Sequence, residues 1–208
     1  MDLRRHELVR LTAAGWRRAA AQHNGADAAA CFAHWAVSDL PAVVATQACV
    51  SGHWVSLGVP APTTWGRQRY ALRIDPDDIR RDLDAFPEPA QCGFTLGREL
   101  PGIRVHGSFG WERLTGLPYV HHGSDIDLTV PVADAAEADT AVGILEQGVP
   151  GRRVDGEFAF PNGPAVAWRE WQAWRAGRAG SILVRRARGA CIERDLSWLS
   201  SACAKAAA

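Results

Sequence analysis

The 208-residue sequence predicts an α+β protein in two parts: a small α+β domain over residues 1–85, then a second domain over residues 86–208 with a mixed sheet flanked by helices. Three observations carry that expectation. Short β-branched runs alternate with helical spacings through the first part. Pro87, Pro89 and Gly93 then punctuate the chain as a linker would. Beyond them, residues 103–132 join a strand, a helix and a second strand through a Gly-Ser step.

Taken in order, residues 4–22 place Leu8, Leu11 and Trp16 at near-helical spacing, which predicts a first helix ending near Asn24-Gly25. Residues 26–35 predict a second. Residues 41–47, PAVVATQ, read as a strand, and residues 53–59 pair with it across a Ser51-Gly52 turn. Pro60-Ala61-Pro62 forces a loop, and residues 67–74 form a third strand of alternating polarity. Asp75 is a good N-cap and Pro76 a good first helical residue, so a helix is expected there. His34 and His53 read as buried structural histidines.

In the second part, residues 134–147 carry Ala and Val at helical spacing behind an Asp134 N-cap. Residues 151–160 read as a strand with Val154, Phe158 and Phe160 on one side and Arg153, Asp155 and Glu157 on the other. Pro161-Asn162-Gly163 turns it back through residues 165–168. Trp168, Trp171 and Trp174, three apart, are a core stripe and not a base-stacking platform. Residues 181–186 and 190–193 form a last hairpin around Arg188-Gly189, and the Ala-rich tail after Cys203 frays.

Composition narrows the function classes. Formal net charge is zero, which excludes a general nucleic-acid-coating role. No apolar run approaches the roughly 20 residues that span a bilayer, and the N-terminus lacks a signal-peptide core, so a cytoplasmic protein away from membranes is expected. Five scattered cysteines without Cys-x-x-Cys spacing argue against zinc and a disulfide scaffold. Charge is uneven: residues 151–194 hold nine arginines against four carboxylates, a face suited to a polyphosphate or an acidic partner.

The chemistry concentrates in residues 103–132. A short apolar strand stops at Gly107-Ser108 and feeds a helix over residues 109–114, which Thr115-Gly116-Leu117-Pro118 ends. Free N–H groups at such a helix start, with its dipole, suit a phosphate. Then comes Ser124-Asp125-Ile126-Asp127-Leu128-Thr129-Val130, whose strict alternation puts Asp125 and Asp127 on one face. Two carboxylates that close repel unless a cation lies between them, and hard oxygen ligands select Mg²⁺. Either motif alone occurs in ordinary turns and solvated strands. Joined in this order they make the layout of nucleotidyl transfer.

Gly107-Ser108 followed by Asp125-x-Asp127 resembles the signature of the nucleotidyltransferase superfamily, the polymerase-beta-like fold. The wording GSFGWERLTGLPYVHHGSDIDL, with Arg153-Val154-Asp155-Gly156-Glu157 and Ala165-Val166-Ala167-Trp168-Arg169-Glu170, is similar to the malonate decarboxylase holo-acyl-carrier-protein synthases, which are phosphoribosyl-dephospho-CoA transferases. That resemblance implies a third carboxylate on the strand next to Asp125-x-Asp127. Asp155 is preferred for its short, rigid side chain, with Glu157 left open. It implies a two-Mg²⁺ site on Asp125, Asp127 and Asp155, with Asp125 and Asp127 catalytic and Gly107 and Ser108 binding substrate phosphates. The implied donor is 2′-(5″-triphosphoribosyl)-3′-dephospho-CoA, and the implied acceptor is a serine of the apo acyl-carrier subunit of malonate decarboxylase. The family often carries an Arg pair where Val43-Val44-Ala45-Thr46-Gln47 stands, so basic contacts are missing from that position here. Rival expectations are a citrate-lyase-type carrier synthase, a small-molecule nucleotidyltransferase, and a non-catalytic binding protein or antitoxin of the same fold.

Overall fold

A computed structural model describes residues 3–47, 53–81, 85–96 and 100–200. The first unit comprises β1 (Leu8–Leu11), α1 (Ala13–Ala20), α2 (Ala26–Val37), β2 (Ala42–Val44), β3 (Val55–Pro60), β4 (Arg69–Ile74) and β5 (Ile79–Arg80). Its strands make an antiparallel sheet in the order β4-β3-β2-β1-β5. Alternation in β3 and β4 turns Leu57, Val59, Leu72 and Ile74 inward, where they meet Trp16, Phe32 and Trp35 of the two helices.

Two elements differ from expectation. Residues 8–11 are a strand, not the start of the first helix. Leu8 and Leu11 are also three apart, a spacing that fits a helix face, but β1 lies inside the sheet between β2 and β5. Tertiary pairing decides the state. The helix begins instead at Thr12, whose hydroxyl accepts from Gly15 N–H at 3.0 Å. Asp75 does cap a turn, accepting from Asp77 N–H at 3.0 Å. That turn is a single 3-10 turn, Pro76–Asp78, because Ile79 is drawn into pairing with Leu11. The Ser51-Gly52 turn and the tail lie outside the described residues, while the strand pairing it was to join is present, with Val43 opposite Gly58. His53 is exposed, and His34 is half-buried against Trp65.

The second unit comprises β6 (Arg104–Val105), α3 (Gly107–Thr115), β7 (Ile126–Pro131), α4 (Ala135–Leu145), β8 (Val154–Ala159), β9 (Ala165–Ala167), α5 (Trp168–Arg175), β10 (Ile182–Arg186), β11 (Gly189–Glu193) and α6 (Ser197–Ser200). The six-stranded sheet runs β11-β10-β9-β8-β7-β6. It is mixed: β7 and β8 are parallel, and the other pairs are antiparallel. A parallel pair needs a crossover, which α4 supplies. Asp134 caps α4 by accepting from Glu137 N–H at 2.9 Å, while the Glu137 carboxylate takes Ala133 N–H. Trp168 and Trp171 are buried in the core beneath the sheet, and Trp174 packs at its margin.

The two units share a seam. Trp111 of α3 and Tyr119 beyond it are buried in the first unit's core, and Tyr119 Oη donates to Pro60 O at 2.7 Å. Among the described residues no helix is long and apolar enough to cross a membrane.

Candidate active site

The site begins where β6 meets α3. His106 N–H donates to Asp127 O at 2.7 Å, which sets the start of α3 directly against β7. Gly107 follows at φ +54°, and a Cβ placed there would lie 1.9 Å from Asp127 Oδ2. Only glycine permits so close an approach of backbone and carboxylate. Gly110, one turn on, backs onto Val105 O, where a Cβ would lie at 2.2 Å. The N–H groups of Gly107, Ser108 and Phe109 have no acceptor among the described residues, as expected at a helix start.

Asp127 lies directly across from Asp155 in the parallel β7–β8 pair, so both project from one face of the sheet. Asp125 stands just before β7. Burial, then the charges of Asp155 and Asp125, push the Asp127 carboxyl above its ordinary pKa, with Arg69 and Arg153 opposing. The Arg153 guanidinium lies between the outer two acids, 3.0 Å from Asp155 Oδ2 and 3.8 Å from Asp125 Oδ2. Asp155 Oδ1 accepts from Gly156 N–H at 2.9 Å.

The structure therefore brings together Gly107, Ser108, Asp125, Asp127 and Asp155 from three elements. Gly107, Ser108 and Asp127 also line one cavity of about 320 Å³. Among the described residues no three His, Cys, Asp or Glu side chains converge into a ready-made metal site. Both oxygens of Asp155 accept hydrogen bonds, one of them from Arg153. The donor set itself fits a hard divalent cation, since it consists of carboxylate oxygens on one face whose mutual repulsion a cation would relieve.

Glu157, the other acid on this face of β8, has a different occupation. Arg5 reaches it at 2.8 Å and His6 Nε2 at 3.2 Å, tying the N-terminal segment to the second unit's sheet. Burial alone would raise its pKa, but the His6 hydrogen bond and the Arg5 charge outweigh that and hold it down at about 2. Against the same seam, the His106 ring packs between Phe86 and His6, with centroids at 4.1 and 4.6 Å. Burial first, and then the neighbouring His6, keeps that imidazole neutral, its pKa lowered to about 3.

A family model described as the phosphoribosyl-dephospho-CoA transferase MdcG C-terminal domain matches residues 79–195, and one described as the MdcG N-terminal domain matches residues 4–85. The chain belongs to the phosphoribosyl-dephospho-CoA transferase (MdcG) family. It is a transferase. A protein of that name from Bradyrhizobium diazoefficiens is 31% identical over 185 residues, covering 80% of this chain and 80% of the relative. One from Xanthomonas campestris pv. campestris (strain 8004) is 37% identical over 153 residues, covering 65% of this chain and 72% of the relative. Another, from Xanthomonas euvesicatoria pv. vesicatoria, is 40% identical over 156 residues, with 65% and 72% covered. No solved structure matches the chain.

Within this transferase fold, sequence reasoning missed the first unit's share of the site. His6, Arg67, Gln68 and Arg69 line the same cavity as Asp127. Arg67 and Arg69 bring to it the basic character that Val43, also in the lining, lacks. No local pattern marks them, because a 3-10 turn and the β3–β4 register bring them there. The arginine-rich C-terminal third is less free than composition suggests. Arg152, Arg153, Arg169 and Arg175 bond to carbonyls or carboxylates of the chain itself, and Arg186 is paired with Glu193 at 3.9 Å.

Proposed function

We propose that the chain transfers 2′-(5″-triphosphoribosyl)-3′-dephospho-CoA to a serine of the apo acyl-carrier subunit of malonate decarboxylase, in the cytoplasm. The observation that supports this reading is the contact of Gly107 with Asp127: a helix start of the kind that suits a phosphate lies in van der Waals reach of the central carboxylate. In the proposed reaction the serine oxygen bonds to the donor's α-phosphorus and the bond to the β-phosphate breaks. Pyrophosphate leaves, and the serine proton passes to water. The N–H groups of Gly107 and Ser108 hold the departing phosphates, and their positive ends favour the charge that collects there. Asp125, Asp127 and Asp155 would hold Mg²⁺, which when bound supplies charge neutralisation and an acidified hydroxyl. The Gly107 contact fixes the distance between phosphate and carboxylates, so the chain's own contribution is mostly positioning.

The test uses apo carrier protein, the triphosphoribosyl donor and Mg²⁺, with wild type or Asp127→Asn, following the carrier's mass. The expected result is a cofactor-sized gain with wild type and a rate lower by about 100-fold or more for the variant. Equal rates would remove Asp127 from the chemistry. Pyrophosphate released from ATP without any carrier protein would favour a small-molecule nucleotidyltransferase instead.

A further inference from the structure

Part of the lining of the cavity that holds Gly107 and Ser108 belongs to the first unit. It is built by Pro60, Ala61, Thr63, Arg67, Gln68 and Arg69, the segment linking β3 to β4. We propose that Arg67 and Arg69 bind the polyphosphate of the donor from this side, making the N-terminal unit half of the donor site. The inference rests on the nucleotidyl-transfer reading above and names the residues that face its substrate.

Three observations support it. First, both guanidinium groups are exposed, and neither has a hydrogen bond or ion pair among the described residues, unlike the arginines that tie the C-terminal third together. Their charge is therefore available to a ligand. Second, their backbone is held firmly although Arg67 sits in the left-handed region at φ +54°. Arg67 N–H donates to Pro62 O at 3.1 Å, Ala61 N–H donates to Gln68 O at 2.7 Å, and Arg69 is in register with Pro60. A non-glycine residue kept in that region is strained and persists where its surroundings over-determine it. Third, the charge of Arg69 is felt at the Asp127 carboxylate, so the basic wall and the acidic floor lie within electrostatic reach.

The chemistry of the ligand follows. The Asp127 carboxylate in the lining, with Asp125 and Asp155 nearby on the same sheet face, repels an anion unless positive charge lines the cavity too, and a guanidinium fork matches two phosphate oxygens at once. A polyphosphate offers several charged oxygens to the helix start and the arginines that share this lining, whereas a neutral hydroxyl substrate would gain far less from their charge.

The experiment compares wild type, the double variant Arg67→Ala/Arg69→Ala, the double variant Arg67→Lys/Arg69→Lys, and Arg73→Ala. Arg73 is exposed farther along β4 and absent from the cavity lining. Transfer to the carrier is measured against donor and against carrier concentration, and inhibition by added inorganic pyrophosphate is measured in parallel. For the alanine pair, the expected result is a KM for donor and an inhibition constant for pyrophosphate both raised roughly 30-fold, with KM for the carrier unchanged. The lysine pair should recover part of the loss, and Arg73→Ala none of it, since it should match wild type. An alanine pair with wild-type KM for donor would overturn the proposal, as would a rise confined to the carrier. Calorimetric titration with inorganic tripolyphosphate keeps the tests separate. If wild type transfers nothing, the catalytic reading fails, yet weaker tripolyphosphate binding by the alanine pair would still support the anion site. Equal binding would sink it.

Discussion

The α-carbon of Gly107 rests against the Asp127 carboxylate so closely that a methyl group there would overlap Oδ2, at 1.9 Å. Strand β7 and the start of α3 are thus fixed to one another at the point where the proposed phosphate and metal sites adjoin. Gly107→Ala would have to rotate Asp127 away and would also place alanine at φ +54°. The expected result is a loss of transfer activity of about 100-fold or more, because a misplacement near 1 Å costs that much. Thermal melting should fall by only a few degrees, since the strain is on the order of 1 kcal/mol. A variant with wild-type turnover would mean that this contact positions nothing.

Asp155 and Glu157 project from the same face of β8, yet their surroundings assign them different work. Asp155→Asn should keep the melting temperature and lower the transfer rate by roughly 100-fold. Glu157→Gln should do the reverse. It removes the partner of Arg5 and His6, with an expected cost of about 1–3 kcal/mol in a denaturant titration. Activity at saturating substrate should fall much less. If Glu157→Gln were the variant that lost turnover with its stability intact, the third carboxylate would be Glu157.

How much of this was legible beforehand depended on the range of the interactions. The Gly107-Ser108 step, the alternation through Asp127 and the Asp134 cap are local, and each is found where the sequence puts it. Residues 8–11 were misread because Leu8 and Leu11 satisfy a helix period as well as a strand, and only pairing with β2 and β5 decides between them. Pro76–Asp78 carried sound helix-start chemistry that β5 pairing cut short. Arg67 and Arg69 are invisible in the sequence for the same reason: their place in one cavity with Asp127 comes from packing between units. The role of Glu157 was equally hidden, since Arg5 is 152 positions away in the chain.

Arg153 bridges Asp125 and Asp155, so it competes with any cation for those oxygens. Arg153→Ala should therefore bind Mn²⁺ more tightly in a direct titration. The gain should be modest, up to about fivefold, because a half-exposed ion pair contributes roughly 0–1 kcal/mol. Weaker Mn²⁺ binding by the variant would show that Arg153 orders the carboxylates and does not compete for them.

Acid should open the seam between the units, and the sign follows from two groups. Glu157, held at about 2 against an ordinary 4.5, contributes stability that is fully present above about pH 4.5 and is lost as pH falls through 2. His106, lowered to about 3 from an ordinary 6.5, acts earlier. Between those two values the unfolded chain takes up a proton that the buried ring refuses, so stability declines steadily as pH drops from 6.5 to 3. The titratable and charged groups facing that ring are His6, Glu157 and Arg5, and only Glu157 favours its protonation. The combined loss from pH 7 to pH 3 should be on the order of several kcal/mol. Urea titrations of the metal-free protein in EDTA across this range measure it directly. His106→Phe keeps the ring against Phe86 but cannot titrate, so its stability should stay nearly flat between pH 6.5 and 4.5 and fall only below, where the unfolded chain's Glu157 takes up a proton that the folded one does not. If wild type and His106→Phe lost stability in parallel across the upper interval, a different group would be governing the acid response of the seam.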